Sequence, residues 1–287
     1  TSFVGRRAAL VQLAAAVDRS RLVTILGPPG TGKTRLAKEH ALARAGEDGP
    51  FALVLFCDLT EASGPDDVVA QLASVLGIAT SGAGPAKERV VQALAATPSA
   101  LFVLDNFEQL VRSSAPLLAE LVDRTGPSIH FIVTSRERLG VAGEALFDLG
   151  PLVLPGAAEM SEAVQLFVER ARDASPDFRP TAADLQDVAR LVSVLDGLPL
   201  ALELAAAKLE HEALRAAMLA AGQSAPAELE PWDWRYWAER VRVARYAVDD
   251  AEVKPYFQLE RVVEAAFDCA QRLFGLSFRA RADLPVY

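Results

Sequence analysis

The chain has 287 residues, 51% of them hydrophobic and 23% charged, with a formal net charge of −9. That length and apolar share exclude a disordered segment and leave room for a sizeable core in more than one domain. The acidic balance, with no basic patch in view, argues against a broad nucleic-acid footprint, which needs a positive surface.

In chain order, short apolar runs first alternate with segments of helical period. Strands are predicted at "LVTIL" (22–26), "FALVLF" (51–56), "LFVLD" (101–105) and "HFIVT" (130–134), with a weaker pair around "LFDLG" and "LVLPG". Helical spacing is read near 33–46, 65–77, 86–96 and 107–123. Continuous aliphatic strands alternating with helices predict an α/β fold, a mostly parallel sheet with helices on both faces. From about 157 the strands stop, and "EMSEAVQLFVERARDA", "TAADLQDVARLVSVL" and "PLALELAAAKL" predict a helical subdomain. A small-residue linker around "AAGQSAPAELEP" leads to a segment that holds all three tryptophans. The expected organisation is an α/β domain over 1–156, a helical subdomain over 157–210, a linker over 211–229 and an α-helical tail over 230–287.

Both cysteines, Cys57 and Cys269, fall in apolar runs, so no disulfide framework is expected and a cytoplasmic location is. The start "TSFVGRRAAL" lacks the pattern of a secretory signal, and no apolar stretch reaches membrane-spanning length, so no membrane partner is expected. The chain starts without Met and stops at "DLPVY", which reads as a piece of something longer.

The stretch "GPPGTGKT" follows the first strand and opens a helix. Gly27, Gly30 and Gly32 let main-chain amides turn toward an anion, and the helix dipole behind Gly32 faces it. Pro28 and Pro29 stiffen the loop, Lys33 reaches the β- and γ-phosphates, and the Thr34 hydroxyl can ligate Mg²⁺. These residues, with Thr31 and Arg35 beside them, form the predicted site for ATP or ADP. In "LFVLDNFEQL" four apolar residues bring Asp105 to the carboxyl end of a strand, where its carboxylate can hold the metal; capping the next helix is the other reading. Glu108 either polarises the attacking water or is a first-turn acid favoured by the helix dipole. Arg136, in "HFIVTSRERL", either senses the terminal phosphate or is a solvated charge.

Those elements, in this order, with "FVGR" at the start and "GLPLALELAAAKL" after the helices, resemble the STAND class of P-loop ATPases. The nearest likeness is to NB-ARC-like modules of bacterial transcriptional regulators, over about residues 2–208. The resemblance implies that Phe3, Val4 and Gly5 lie against the adenine with Arg6 close by, and that Asp105 with Asn106 ends the Walker-B strand. It also implies that Arg136 senses the γ-phosphate and that Pro199 packs on the adenine, although a first-turn helix proline after Gly197 is sensible by itself. Such proteins are switches: ADP holds a closed form, ATP exchange permits opening and oligomerisation, and slow hydrolysis resets the state. The implied partners are the nucleotide and a second copy or a regulatory protein.

From about Glu228 onward the sequence resembles zinc metallopeptidases of the thimet-oligopeptidase and peptidyl-dipeptidase type, in the stretch that precedes their H-E-x-x-H helix. The zinc site does not carry over. "HEALR" supplies His211 and Glu212, but Arg215 stands where the second His is required. Three functions compete: a nucleotide-dependent switch with slow Mg²⁺-dependent hydrolysis, a non-catalytic oligopeptidase fragment fused to a nucleotide module, and a DNA-binding regulator in its own right. Acidity counts against the last, as does the lack, after the "GLPL" helices, of the winged-helix domain into which members of the resembled class continue.

Overall fold

The computed structural model describes residues 2–45, 49–78, 84–156, 160–174 and 178–208. These residues belong to one compact unit. Cys269, His211, the linker and the aromatic tail lie outside them.

The chain enters through helix α1 (Arg7–Arg19) and then strand β1 (Leu22–Leu26). Helix α2 (Lys33–Arg44) follows the glycine-rich loop, and β2 (Leu53–Asp58) comes next. Helices α3 (Pro65–Val75) and α4 (Ala86–Ala96) precede β3 (Ala100–Asp105). A 3-10 turn (Phe107–Gln109) opens α5 (Val111–Arg124), which leads to β4 (Ile129–Ser135) and β5 (Glu144–Asp148). The helical part comprises α6 (Glu162–Ala174), α7 (Ala182–Val194) and a helix over 199–208, here α8.

All five strands run parallel in the order β2-β3-β4-β1-β5. Strand residues alternate between faces, and two cores result. On one face Val23, Ile25, Leu101, Val103 and Ile132 pack with Leu13 and Val17 of α1 and Leu36, Ala37 and Ala41 of α2. On the other, Leu22, Phe102, Leu104, Phe131 and Val133 pack with α3, α4 and α5 through residues such as Leu72, Leu94 and Leu121. Helices on both faces are what continuous apolar strands require. The third core, in α6, α7 and α8, is built from Val164, Phe167, Val192, Leu202 and Ala206 around Leu152.

Two expectations need correction. "LVLPG" is not a strand: Leu152 donates its N–H to Gly197 O at 3.0 Å, so this segment bonds to the turn before α8 rather than to the sheet. Only the first of the weak pair is a strand, β5, which pairs with β1 from Leu22↔Glu144 to Leu26↔Asp148. Helix α1 was not predicted. Its apolar face is made largely of alanine, which carries little burial signal beside Leu13 and Val17.

Candidate functional site

The same alternation that builds the two cores aims the polar residues at the strand ends. Asp105 shares its face with Leu101 and Val103, and Thr134 shares its face with Ile132, so both project toward the side occupied by α2. There the Thr34 hydroxyl, in the first turn of α2, donates to Asp105 Oδ1 at 2.8 Å. The Thr134 hydroxyl donates to the same oxygen at 2.5 Å and accepts the Asn106 N–H at 3.0 Å. Asp105 is 3% exposed, so these hydroxyls supply hydrogen bonds that a buried carboxyl group cannot take from water.

The loop between β1 and α2 is tightly bounded. A Cβ on Gly27 would lie 2.6 Å from Leu149 O, so only glycine fits there. Gly30 and Gly32 have φ of +78° and +87°. Gly32 caps α2, whose first-turn amides have no intrahelical partner. Buried Thr31 donates its hydroxyl to Pro28 O at 2.9 Å, while Pro28 and Pro29 themselves face outward. Lys33 curls over the loop and donates to Gly27 O at 2.8 Å and Pro28 O at 3.1 Å. Burial lowers the pKa of Lys33, opposed by Glu108, reinforced by Arg136 and opposed again by Asp105. The predicted charges therefore converge on one ammonium group.

Glu108 and Arg136 are paired. Arg136 Nε donates to Glu108 Oε1 at 3.0 Å, with the arginine 57% exposed and the glutamate 21% exposed. Glu108 Oε2 is buried and has no hydrogen-bond partner among the described residues. Asn106, at φ 62°, turns its amide away from the loop toward β2, donating to Thr60 Oγ1 at 2.8 Å and more distantly to Asp58 and Asp105. The Thr60 hydroxyl and N–H bonds hold the Asp58 carboxyl below its usual range.

Beside the loop a small apolar cavity is lined by Phe3, Val4, Leu152, Leu166 and Pro199, with Arg6, Arg35, Arg170 and Glu203 among its polar walls. Pro199 Cγ would lie 4.0 Å from a Cβ on Gly32, so the first turn of α8 stands directly over the loop. Leu200 N–H also donates to Gly30 O at 3.2 Å. Arg6 is 7% exposed and donates to Thr31 O at 2.8 Å and Gly150 O at 2.9 Å. Burial lowers its pKa, with Glu162 opposing. Gly5 lies against Glu162 rather than in the cavity wall.

Most candidate residues thus gather around one loop; Gly5, set against Glu162, and the Asn106 amide, turned to Thr60, do not. Sequence reasoning missed Thr134 as the second hydroxyl on Asp105, and it missed Leu152, Leu166, Glu162, Arg170 and Glu203. A threonine ending an otherwise aliphatic strand was the available signal for the first. The others come from the helical part or, for Leu152, from the segment leading into it, and no local pattern marks their distance from the loop. No group of three or more His, Cys, Asp or Glu side chains suited to a metal occurs among the described residues.

A glycine-rich loop between the first strand and its helix, an acid on β3, and β4 inserted between β3 and β1 define a P-loop NTPase. Residues 17–139 match the AAA domain family, a match that together with the loop supports a nucleotide-binding ATPase module. Residues 187–287 match peptidase family M3, a match that begins within α7, earlier than the likeness seen in the sequence. Over 209 residues the chain is 35% identical to an uncharacterized protein of Mycobacterium tuberculosis, covering 72% of this chain and 51% of that one. Over 194 residues it is 34% identical to a protein of the same organism described as an HTH-type transcriptional regulator, covering 68% of this chain and 21% of that one. A 59-residue stretch is 48% identical to the dipeptidyl carboxypeptidase of Escherichia coli, covering 20% of this chain and 9% of that one. The Walker-type ATPase of Pyrococcus abyssi shares the fold at a TM-score of 0.51 and 15% identity, over 94% of this chain and 79% of that one. The chain spans about half the length of the first of these relatives. No helix among the described residues is long and apolar enough to cross a membrane.

Proposed function

We propose that this chain is a regulatory switch module of the STAND kind, which binds ATP or ADP with Mg²⁺ and hydrolyses ATP slowly. The observation that carries the reading is the two-sided site: the P-loop lies on the sheet, while Pro199 and Leu200 reach it from the helical part. A nucleotide held between two such parts can bias their arrangement, provided that ATP and ADP favour different arrangements.

The residues suit the ligand. Gly27 to Thr34 would take the phosphates, with Lys33 releasing its loop carbonyls to do so. Thr34 and Asp105 form a hard oxygen pair suited to Mg²⁺, held directly or through its water, and the ion would neutralise phosphate charge there. Phe3, Val4 and Pro199 would enclose the base. Asp105 is held in place by the Thr34 and Thr134 hydroxyls. Glu108, with one buried oxygen unpartnered, would accept a proton from the attacking water once Arg136 turns to the terminal phosphate. Signal transduction or transcription control is the role favoured by the 34% identity to an HTH-type regulator, of which this chain covers 21%.

Calorimetric titration of the full chain with Mg-ADP and Mg-ATP tests the proposal. Saturable binding, abolished in Lys33→Ala with an unchanged melting temperature, is the expected result. No binding by the parent chain overturns it.

The peptidase-family match favours a second role for residues 187–287, as a non-catalytic oligopeptidase fragment joined to the nucleotide module. Peptidase activity is not expected, because the sequence has no H-E-x-x-H. One stoichiometric zinc per chain by elemental analysis would contradict this.

A further inference from the structure

The P-loop accounts for phosphates but not for a base. The N-terminal strap, residues 2–6, crosses from one core to another: Phe3 packs on the core shared by α1, α2 and the sheet, whereas Val4 packs on the core of α6, α7 and α8. Hydrogen bonds hold it from the α6 side. The Arg6 N–H donates to Glu162 Oε1 at 2.6 Å, the Ser2 hydroxyl donates to Glu169 Oε2 at 2.5 Å, and Arg170 Nη2 donates to Ser2 O at 2.8 Å. Gly5, at φ +70°, leaves no room above the carboxylate, since a Cβ there would lie 2.9 Å from Glu162 Cδ.

Glu162 stands in the first turn of α6, where an acid is favoured by the helix dipole. Its oxygen, however, satisfies an amide 156 residues away in sequence, at the start of a different helix. The Arg6 side chain meanwhile grips the phosphate loop through Thr31 O. Arg6 thus joins the phosphate loop by its side chain and the helical part by its main chain.

We infer that Glu162 is a positioning residue for nucleoside recognition: through the Arg6 N–H it fixes the strap so that Phe3 and Val4 face Pro199 across the base slot. The inference rests on the nucleotide-binding reading above. It adds that base affinity, unlike phosphate affinity, is set from the helical part. The phosphate cradle depends on β1, α2 and the Arg6 side chain, whose hydrogen bonds go to Thr31 O and Gly150 O rather than to the Glu162 carboxylate.

The test compares Mg-ADP with inorganic tripolyphosphate plus Mg²⁺, a probe with no base, titrated into the full chain. Glu162→Ala is expected to weaken ADP about tenfold to a hundredfold, the loss of a charge-assisted hydrogen bond, and to leave tripolyphosphate within about threefold. Glu162→Gln keeps an acceptor oxygen and is expected to recover most of the ADP affinity. Ser2→Ala, at an exposed position, removes the bond to Glu169 and the long one from Arg170 Nη1 at 3.5 Å, and is expected to weaken ADP about twofold to fivefold with an unchanged melting temperature. Unchanged ADP affinity in Glu162→Ala and Ser2→Ala, or equal loss of ADP and tripolyphosphate, overturns the inference. Failure of the parent chain to bind either probe overturns the nucleotide reading itself, so the two failures are distinguishable.

Discussion

Thr34 and Asp105, 71 residues apart, meet at 2.8 Å, and Thr134 comes to the same carboxylate oxygen at 2.5 Å. Three elements, α2, β3 and β4, therefore end on one buried atom, and the acid is held where β3 reaches the loop. Thr134→Val deletes the donor to Asp105 and the acceptor of the Asn106 N–H. The expected result is a stability loss of about 1–3 kcal/mol, read from the denaturant midpoint, and a weaker Mg²⁺ dependence of ADP binding. Thr134→Ser retains the hydroxyl and should restore both. Full Mg²⁺ dependence in Thr134→Val would show that Asp105 needs no second hydroxyl.

Arg136 and Glu108 form an ion pair that is more than half exposed on the arginine side. Such pairs contribute at most about 1 kcal/mol, so Arg136→Ala should melt at nearly the parent temperature. Its expected effect is weaker Mg-ATP binding with Mg-ADP binding unchanged, read by calorimetric titration. Glu108→Gln separates the two readings of that residue: removing a general base should reduce kcat about 100-fold or more with KM little changed. An unaltered kcat would leave Glu108 only as the anchor of Arg136.

Gly30 carries a positive φ of +78°, and a Cβ there would lie 2.9 Å from Leu200 Cβ. Gly30→Ala therefore combines backbone strain of about 1–2 kcal/mol with a wedge between the phosphate loop and α8. Reduced thermal stability and ADP affinity are expected together. Gly126→Ala is the control: nothing lies within 4 Å of its added Cβ, and no positive φ applies. Equal behaviour of the two variants would refute a requirement for close approach at Gly30.

His40 is 3% exposed on α2, and its Nε2 has no hydrogen-bond partner among the described residues. Burial, reinforced by Arg44 and opposed by Asp18, lowers its pKa from 6.5 to about 4. Below the ordinary pKa the unfolded chain takes a proton that the folded chain refuses, so the unfolded state binds more protons in that window. The neutral imidazole thus costs no stability above about pH 6.5, and stability declines as pH falls toward 4, by about 3 kcal/mol in all. Urea midpoints at pH 7 and 4.5 should differ less in His40→Leu than in the parent. Identical differences would mean that His40 is protonated in the fold.

Much of this architecture was legible from local pattern. The strand "LVTIL" and the helix at 86–96 coincide with β1 and α4, and the phosphate loop was legible from glycine spacing, because each rests on neighbours in sequence. Asp105 was legible for the same reason, as an acid closing an apolar run. "LVLPG" misled because an apolar run reads alike whether it enters a sheet or packs on helices; its partner, Gly197, lies far along the chain.

By itself the sequence determined that a parallel sheet would carry an anion-binding loop, since periodicity and glycine placement act over a few residues. Only the tertiary structure decided which groups close that loop: Thr134 on Asp105, Glu162 on the strap, and Pro199 and Leu200 over Gly30 and Gly32. Those contacts join residues 29 to 170 positions apart, and a local pattern cannot encode a distance that the crossing of helices and strands sets.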